Sequence, residues 1–487
     1  MTECLPKLPF AVILASLLAL SPCCRAADPP KARPSGAGVY YIDADGDGYG
    51  VASPLGPDAD DSDASVNTPE SVRQKYADIA DLLKKLGYTP KRIFYIAPGG
   101  SNRTGRADDP AKPFASWESV SGRVRAGDVV LLREGAYKDK YPLSCVKLSG
   151  KAESPIVIAA FPGEKVVLDA TEKSLAVDRC RHLVFDGFTL TNSAGTLGKG
   201  IGMKFSSNIT LRNIESTRHY WGWIGMQDLH DILAERCVFH DNPHEHGIYL
   251  GAREKPNTNL TVRKCLMYRN GYHGIQHNGR VQGLLLEDNV IHSNGLAGVS
   301  LIMGVSDSVV RNNLIFNNNK QGIVFYTYDD RSAAIRAYDQ CRNVVAGNII
   351  WVGRHSWNGR QRTGEYAAIL FNDVTAAQKV RMEQNTFRGN TIVTQEGEAF
   401  RFAQERFAPT TIIENNVIHR ASGSGKVMSC SGKDYDLRSF ESFSTNIRGN
   451  RFEDPQFANV SVEHYQTPEN FDFSRKGSKA EAAKAGP

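Results

Sequence analysis

The sequence predicts an all-β chain built as a parallel β-helix, a solenoid of about ten coils, preceded by a short helix cap. Three observations carry this. A Gly-apolar-x-apolar element recurs at Gly200-Ile201-Gly202-Met203, Gly247-Ile248-Tyr249-Leu250, Gly274-Ile275-Gln276-His277, Gly298-Val299-Ser300-Leu301 and Gly322-Ile323-Val324-Phe325. After each comes an apolar-x-x-Asn/Cys-apolar element. Its fourth position is Asn213, Cys237, Cys265, Asn289, Asn313, Asn348, Asn390, Asn416 and Asn450, with first spacings of 24, 28, 24 and 24 residues. Each period holds short alternating strands and no 3.6-residue pattern, which excludes helical repeats.

Stacked coils lie about 4.8 Å apart, so equivalent residues form columns along the axis. The Asn column is expected to be an internal ladder, each amide bonding the coils above and below. Cys237 and Cys265 share that column and are expected as buried free thiols. Glycines are expected at the corners, where the chain needs positive φ.

The chain has 487 residues, 44 of them glycine, and a net charge of +5 from 58 basic and 53 acidic residues. So even a balance argues against a nucleic-acid binder. No apolar run of about 20 residues follows residue 30, so no internal membrane span is expected.

Residues 1–27 have the pattern of a secretory signal, with Lys7, the apolar run Leu8 to Leu20 and a small-residue site at Cys24-Arg25-Ala26. A short membrane anchor and a lipidated Cys23 are the alternatives. The pattern predicts a secreted, periplasmic or cell-surface protein; separately, a monomer is expected. Six cysteines remain after residue 27, too few for a disulfide scaffold.

Residues 28–69 combine a Pro/Gly/Ala linker with an Asp-rich loop, Asp43-Ala44-Asp45-Gly46-Asp47-Gly48. Alternate aspartates present hard oxygen ligands on one side of a turn that the glycines permit. Pro54 stands where an EF-hand would have its bidentate Glu, and Asp58, Asp60, Asp61 and Asp63 are candidates to supply the missing charge. The segment resembles thrombospondin type 3 repeats and the metal-binding repeats of secreted bacterial MopE-like proteins. That resemblance implies a structural Ca2+. Residues 70–92 are expected as a capping helix, from Val72, Tyr76, Ile79, Leu82, Leu83 and Leu86 at helical spacing with Gly87 as the stop.

The solenoid is expected over 93–460, with a tail at 461–487. Its opening, Tyr95-Ile96-Ala97-Pro98-Gly99-Gly100-Ser101, then Pro113-Phe114-Ala115-Ser116, then Gly127-Asp128-Val129-Val130-Leu131-Leu132-Arg133-Glu134-Gly135, resembles that of extracellular right-handed β-helix proteins of the pectate-lyase-like superfamily. The resemblance implies a right-handed coil and a polysaccharide lyase, epimerase or glycosidase.

Seven of the twelve histidines fall between residues 219 and 277. By the repeat, His246 and His273 occupy one position in adjacent coils and should stack roughly 5 Å apart. Tyr249 and Gln276 point outward three residues on, and Lys204, Asn278 and Tyr326 share the next outward column. His277 is read as a core histidine. Proton abstraction α to a carboxylate needs a base, a stabiliser of the enolate-like intermediate and an acid for the leaving oxygen. His246 or His273 is the candidate base or carboxylate neutraliser, Tyr249 the acid/base, and Arg253 and Lys204 the carboxylate binders. His244 is a binding candidate, and with His246 and His273 it is also a candidate zinc ligand.

Asn242-Pro243-His244-Glu245 resembles the Asp-Pro-His-Asp motif of alginate C5-epimerases, differing at two of four residues. Two insertions, 326–343 and 351–367, carry Tyr326, Tyr328, Arg354, Trp357 and Arg360, residue types that stack on sugar rings and pair with carboxylates. These features point to a secreted lyase acting on an anionic, uronic-acid polysaccharide by β-elimination. The alternatives are a C5-epimerase, a glycoside hydrolase using Asp241 with Glu245, and a non-catalytic carbohydrate-binding protein.

Overall fold

The computed structural model describes residues 32–34 and 40–476, except 77, 194, 196, 328–338, 354–366, 374–380, 396, 406–408 and 424. The expected leader at 1–27 lies outside the described residues. Three parallel ladders run the length of the molecule. The first passes from Leu143–Val146 through Lys199–Lys204 and Trp221–Met226 to Met428–Cys430. The second passes from Ile93–Ile96 through Val129–Leu132 to Ile447–Arg448. The third has 11 strands, from Gly135–Asp139 to Val417–Arg420. Two long strands, Ile248–Arg263 and Ile275–Glu287, run from the first ladder into the second, with a register shift in their pairing between Ala252 and Asn257.

One apolar core fills the interior, from Phe94 and Val130 at one end to Phe402 and Phe440 at the other. It is stacked as the columns demand: the rings of Phe325 and Phe371 lie 4.7 Å apart, and those of Phe371 and Phe402 5.0 Å. The N-terminal end is filled by a short helix, Trp117–Ser121, whose Trp117 and Val120 join the core. The segment expected as one capping helix is two, Pro69–Lys75 and Ile79–Lys85. Leu83 packs with Ile93, Tyr95, Val129 and Leu131 on the outer side of the second ladder. The second helix therefore covers a flank, because its apolar face meets outward side chains rather than the open end of the core, and the first packs on it through Val72 and Leu82.

The expected Asn ladder is present. Asn289 donates its backbone N–H (3.0 Å) and its Nδ2–H (2.9 Å) to Oδ1 of Asn313. The same pair of bonds links Asn313 to Asn348, Asn348 to Asn390 and Asn390 to Asn416. Cys237 and Cys265 continue the column as buried thiols, with the Cys237 N–H 3.4 Å from the Cys265 sulfur. Asn213 does not belong to it. Arg212 pairs with Glu235, so Ile214 stands level with Cys237 and Asn213 falls one place earlier. A second ladder, not foreseen from the sequence, runs through Asn242, Asn270, Asn294 and Asn318, with Nδ2–Oδ1 distances of 2.8, 2.9 and 2.9 Å.

Glycines fill four of the corners as expected, Gly187, Gly347, Gly389 and Gly449, with φ of 83°, 65°, 62° and 65°. The corner column is left-handed but mostly not glycine: Asn213, Arg236, Lys264, Asp288 and Asn312 have φ of 52°, 51°, 53°, 54° and 55°. The recurring strand-start glycines are needed for close approach instead. A Cβ at Gly274 would sit 2.4 Å from Ile291 Cγ2, and one at Gly298 2.6 Å from Ile315 Cγ2.

The outer face of the third ladder is covered as well. Its aromatic column His240–Tyr268–His292–Phe316 stacks at 4.9, 5.2 and 4.8 Å. Ile42 and Val51 from the N-terminal segment, and Phe457, Phe471 and Phe473 from the C-terminal one, pack on that face. Through residue 476 the expected tail is thus part of the fold, closed by an antiparallel pair, Phe457–Asn459 with Asp472–Arg475.

Asn313→Ala strands donors and acceptors in two neighbouring coils and is expected to cost about 2–4 kcal/mol, at roughly 1–3 kcal/mol per stranded buried group. Gly298→Ala is expected to destabilise through the Ile315 clash. Both are read as lower midpoints in urea unfolding.

Candidate functional site

Parallel register sets the outward columns of the first ladder. At the strand starts run Lys173, Lys199, Trp221, His246 and His273; three residues on run Ala176, Gly202, Ile224, Tyr249 and Gln276. The His246 and His273 rings stack in parallel, 5.3 Å between centroids at 5°, and Tyr249 lies over His246 at 5.4 Å. Tyr272 meets His246 edge-on at 5.6 Å.

Both imidazoles are tied to the backbone of the next coil. The His273 N–H donates to His246 Nδ1 (3.2 Å), and the Ala297 N–H to His273 Nδ1 (3.1 Å). With Nδ1 accepting, the neutral ring carries its proton on Nε2. His246 Nε2 stands 3.2 Å from a Glu245 carboxylate oxygen. The Nε2–H of half-buried His273 is therefore the donor left to face a ligand. Burial, with His273 beside it, holds His246 well below the ordinary histidine value. Burial brings His273 down to about 4. Asn278 Nδ2 donates to the Tyr249 hydroxyl at 3.2 Å.

Lys204 is exposed in the neighbouring column, 3.5 Å from Asp178. His244 is exposed and stacks on Tyr220 at 4.9 Å and 18°. Tyr326 is half-buried against Val324 and Leu370, and burial raises its phenol. Tyr328, Arg354, Trp357, Arg360 and the side chain of Arg253 lie outside the described residues. His277 is fully buried and brought down to about 3 by burial, as a core histidine is. Sequence reasoning missed Tyr220, Trp221 and Tyr272. Period-2 alternation gave no signal for them, because it sends Trp221 and Trp223 to one face; Trp223 is 1% exposed in the core, whereas Trp221, at the strand start before Gly222, is half-buried under Lys199.

Asp241 is held by both Arg269 nitrogens at 2.7 Å and by His240 Nδ1 at 2.7 Å, and His240 Nε2 reaches Glu215 at 3.0 Å. Asp241 is thus already committed, which removes it as the carboxylate partner of Glu245. Burial alone would lower His240, but the bonds to Asp241 and Glu215 outweigh it and raise the ring.

The Asp-rich loops fold back on each other and against the solenoid. Asp43, Asp45 and Asp47 each place a carboxylate oxygen within 4.8 Å of the others, which makes them the one such group of three among the described residues. Asp45 Oδ2, Asp47 Oδ2, Asp58 Oδ2 and Asp61 Oδ1 are buried without a hydrogen-bond partner among the described residues. Burial, then repulsion from Asp61, Asp47 and Asp45, pushes Asp58 up to about 8. Burial pushes Asp61 up to about 6 against the pull of Arg236, which lies 3.7 Å away in the solenoid. An all-carboxylate donor set of this kind fits a hard cation such as calcium. Asp60 and Asp63 have other partners, pairing with Lys85 and Lys75.

The right-handed β-helix region profile matches residues 166–315, 258–350 and 283–468, and the chain belongs to that family. No curated protein matches the sequence. Among solved structures, the chain is similar to pectate lyase Pel9A (16% identity, 81% of this chain and 91% of that one, TM-score 0.46). It is also similar to a rhamnogalacturonan lyase (15%, 80% and 98%, TM-score 0.47). A third is the A-module of the Azotobacter vinelandii mannuronan C-5 epimerase AlgE6 (14%, 67% and 91%, TM-score 0.44). At these identities the likeness is one of fold alone. No helix among the described residues is long and apolar enough to cross a membrane.

His273 and His240 are expected to titrate on opposite sides of the ordinary histidine value near 6.5. His273 has its folded value lowered to about 4. Its share of stability is full above about 6.5 and is lost as pH falls toward 4. His240 is raised, so its share is present below about 6.5 and is lost as pH rises through its folded value. An NMR titration of the imidazole C–H resonances reads both.

Proposed function

We propose that this protein is an exported enzyme acting on an anionic, uronic-acid polysaccharide, and that it is a lyase cleaving by β-elimination. The observation that carries the proposal is the stacked His246–His273 pair with Tyr249 over it on the outer face of the first ladder. The groups have distinct roles. Tyr249, as phenolate, takes the C5 proton α to the carboxylate, and the Asn278 amide steadies that phenolate. The electron pair moves into the carboxylate, where His273 Nε2–H donates to the oxygen that gains charge. Collapse then forms the C4–C5 double bond and expels the C4 oxygen, which takes the proton from Tyr249. Reprotonation of C5 from the opposite face would instead give epimerisation, from the same first step.

The imidazoles serve here as neutral donors rather than bases, because Nδ1 of each already accepts a backbone N–H. Lys204, His244, Tyr326 and, from the residues not described, Tyr328, Arg253, Arg354, Trp357 and Arg360 are assigned to substrate binding. A leader at 1–27 would take the protein out of the cytoplasm.

At the N-terminus, Asp43, Asp45, Asp47, Asp58 and Asp61 would hold a structural calcium ion, in support of the repeat resemblance. Calcium would neutralise the crowded carboxylates; Asp61 then also ties the loop to Arg236 of the solenoid. Chelation is expected to lower the thermal midpoint, and Asp47→Asn to remove the calcium dependence, as measured by calorimetry with and without EDTA.

Uronic-acid polymers screened for absorbance at about 235 nm, where a conjugated uronate absorbs, test the activity. Tyr249→Phe and His273→Ala are expected to lower the rate by about 10²–10⁴-fold, the usual scale for acid–base groups; Tyr249→Phe leaves the thermal midpoint little changed, whereas His273→Ala also strands the Ala297 N–H and lowers it. Full activity in both variants sinks the assignment. Altered C5 configuration without absorbance gives the epimerase.

A further inference from the structure

The strand-start column that carries the His pair continues toward the N-terminus as Trp221, Lys199 and Lys173. These two lysines differ from the other cations nearby. Lys204 reaches Asp178 at 3.5 Å and Lys140 reaches Glu172 at 2.7 Å. Neither Lys173 nor Lys199 makes an ion pair among the described residues. Glu172, the carboxylate whose charge acts on Lys199, is already engaged by Lys140 and by the Tyr141 hydroxyl.

Lys199 instead lies 5.3 Å over the Trp221 ring and donates to the Leu197 carbonyl at 2.7 Å. Lys173 lies 5.8 Å over the Tyr141 ring. The stems of both pass over Gly202, where a side chain would sit 3.2 Å from Lys173 Cδ and 3.7 Å from Lys199 Cδ. The outward glycine thus leaves a trough that two like charges share. Burial, and the charge of Lys173 beside it, lower the Lys199 ammonium, the direction that an anion between them would reverse. Between this pair and His246 stand the aromatic rings of Trp221 and Tyr220, 4.5 Å apart, with His244 stacked on Tyr220.

We propose that Lys173 and Lys199, with Trp221 and Tyr220, form a binding subsite for the carboxylate and ring face of a uronic-acid residue on the N-terminal side of the reacting one. It rests on the reading of the His246–His273–Tyr249 face as the uronate-processing site. Coils rise about 4.8 Å, so Lys199 is two steps, roughly 10 Å, from His246 along the axis. A uronate chain held there is anchored by charge and by ring stacking while another of its sugars meets Tyr249 and His273. Such a subsite holds ground state and transition state equally, so it governs KM more than kcat.

The test is affinity electrophoresis of the full chain in gels holding alginate, polygalacturonate or neutral xylan, at low and high salt, beside the 235 nm assay (about 235 nm, as above). Lys173→Gln with Lys199→Gln is expected to weaken retardation by the acidic polymer at least about tenfold and raise KM with kcat within about twofold, on the scale of two lost charge contacts. Lys138→Gln, an exposed lysine of the third ladder, is expected to change neither. Lys199→Arg, which keeps the charge, is expected to run at the wild-type position where Lys199→Gln is less retarded, and an unchanged thermal midpoint in the glutamine variants guards against a folding defect. Wild-type retardation and KM in the double glutamine variant overturn the subsite and leave the catalytic proposal standing. Wild-type protein that neither binds nor converts an acidic polymer overturns the catalytic proposal and the subsite with it.

Discussion

The structure depends on one constraint: every coil must lie in register on the next. Backbone bonds between parallel strands set the spacing of about 4.8 Å, and that spacing turns each sequence position into a column. Buried asparagines enforce it. An amide in the Asn289–Asn313–Asn348 column receives two bonds from one coil and donates to the next, so a slip of one residue would strand several buried polar groups at once. The glycines at 274 and 298 serve the same end by letting a coil approach where any Cβ would collide with an isoleucine.

The same register builds the candidate site. Two histidines meet at 5.3 Å because they occupy one position in adjacent coils, not because either is drawn to the other. Each fills a place where its Nδ1 accepts a backbone N–H, much as an asparagine Oδ1 does in the interior ladders. That structural bond fixes the tautomer and leaves Nε2–H as the working end. Stacking and chemistry therefore do not compete at these rings; the first orients the second.

Charge is distributed by flank. On the outside of the third ladder His240, Glu215, Asp241 and Arg269 satisfy one another, and farther along the apolar outer residues are sealed by the chain termini. The Asp-rich loops present the reverse case, with four buried carboxylate oxygens lacking partners among the described residues and Asp58 pushed up to about 8. The first ladder carries an intermediate arrangement, in which two lysines lack a counter-ion among the described residues and lie beside half-buried aromatic rings.

The sequence alone determined the solenoid, the Asn ladder from 289 onward, the buried thiols at Cys237 and Cys265, and the alignment of His246 with His273. All of these follow from the repeat period, which converts directly into contacts between coils. Tertiary structure alone decided several other features. Asn213 left the ladder because a one-residue offset in register is invisible in spacing by itself. The helix at 79–85 covers a flank because the partner of an apolar face is not encoded in its periodicity. Left-handed corners are held by Arg236, Lys264 and Asp288, which inter-coil bonding makes tolerable despite their Cβ. The aspartates divided into metal candidates and lysine partners only once Lys75 and Lys85 came within reach through the fold. In each case the deciding interaction joins residues that no local pattern connects.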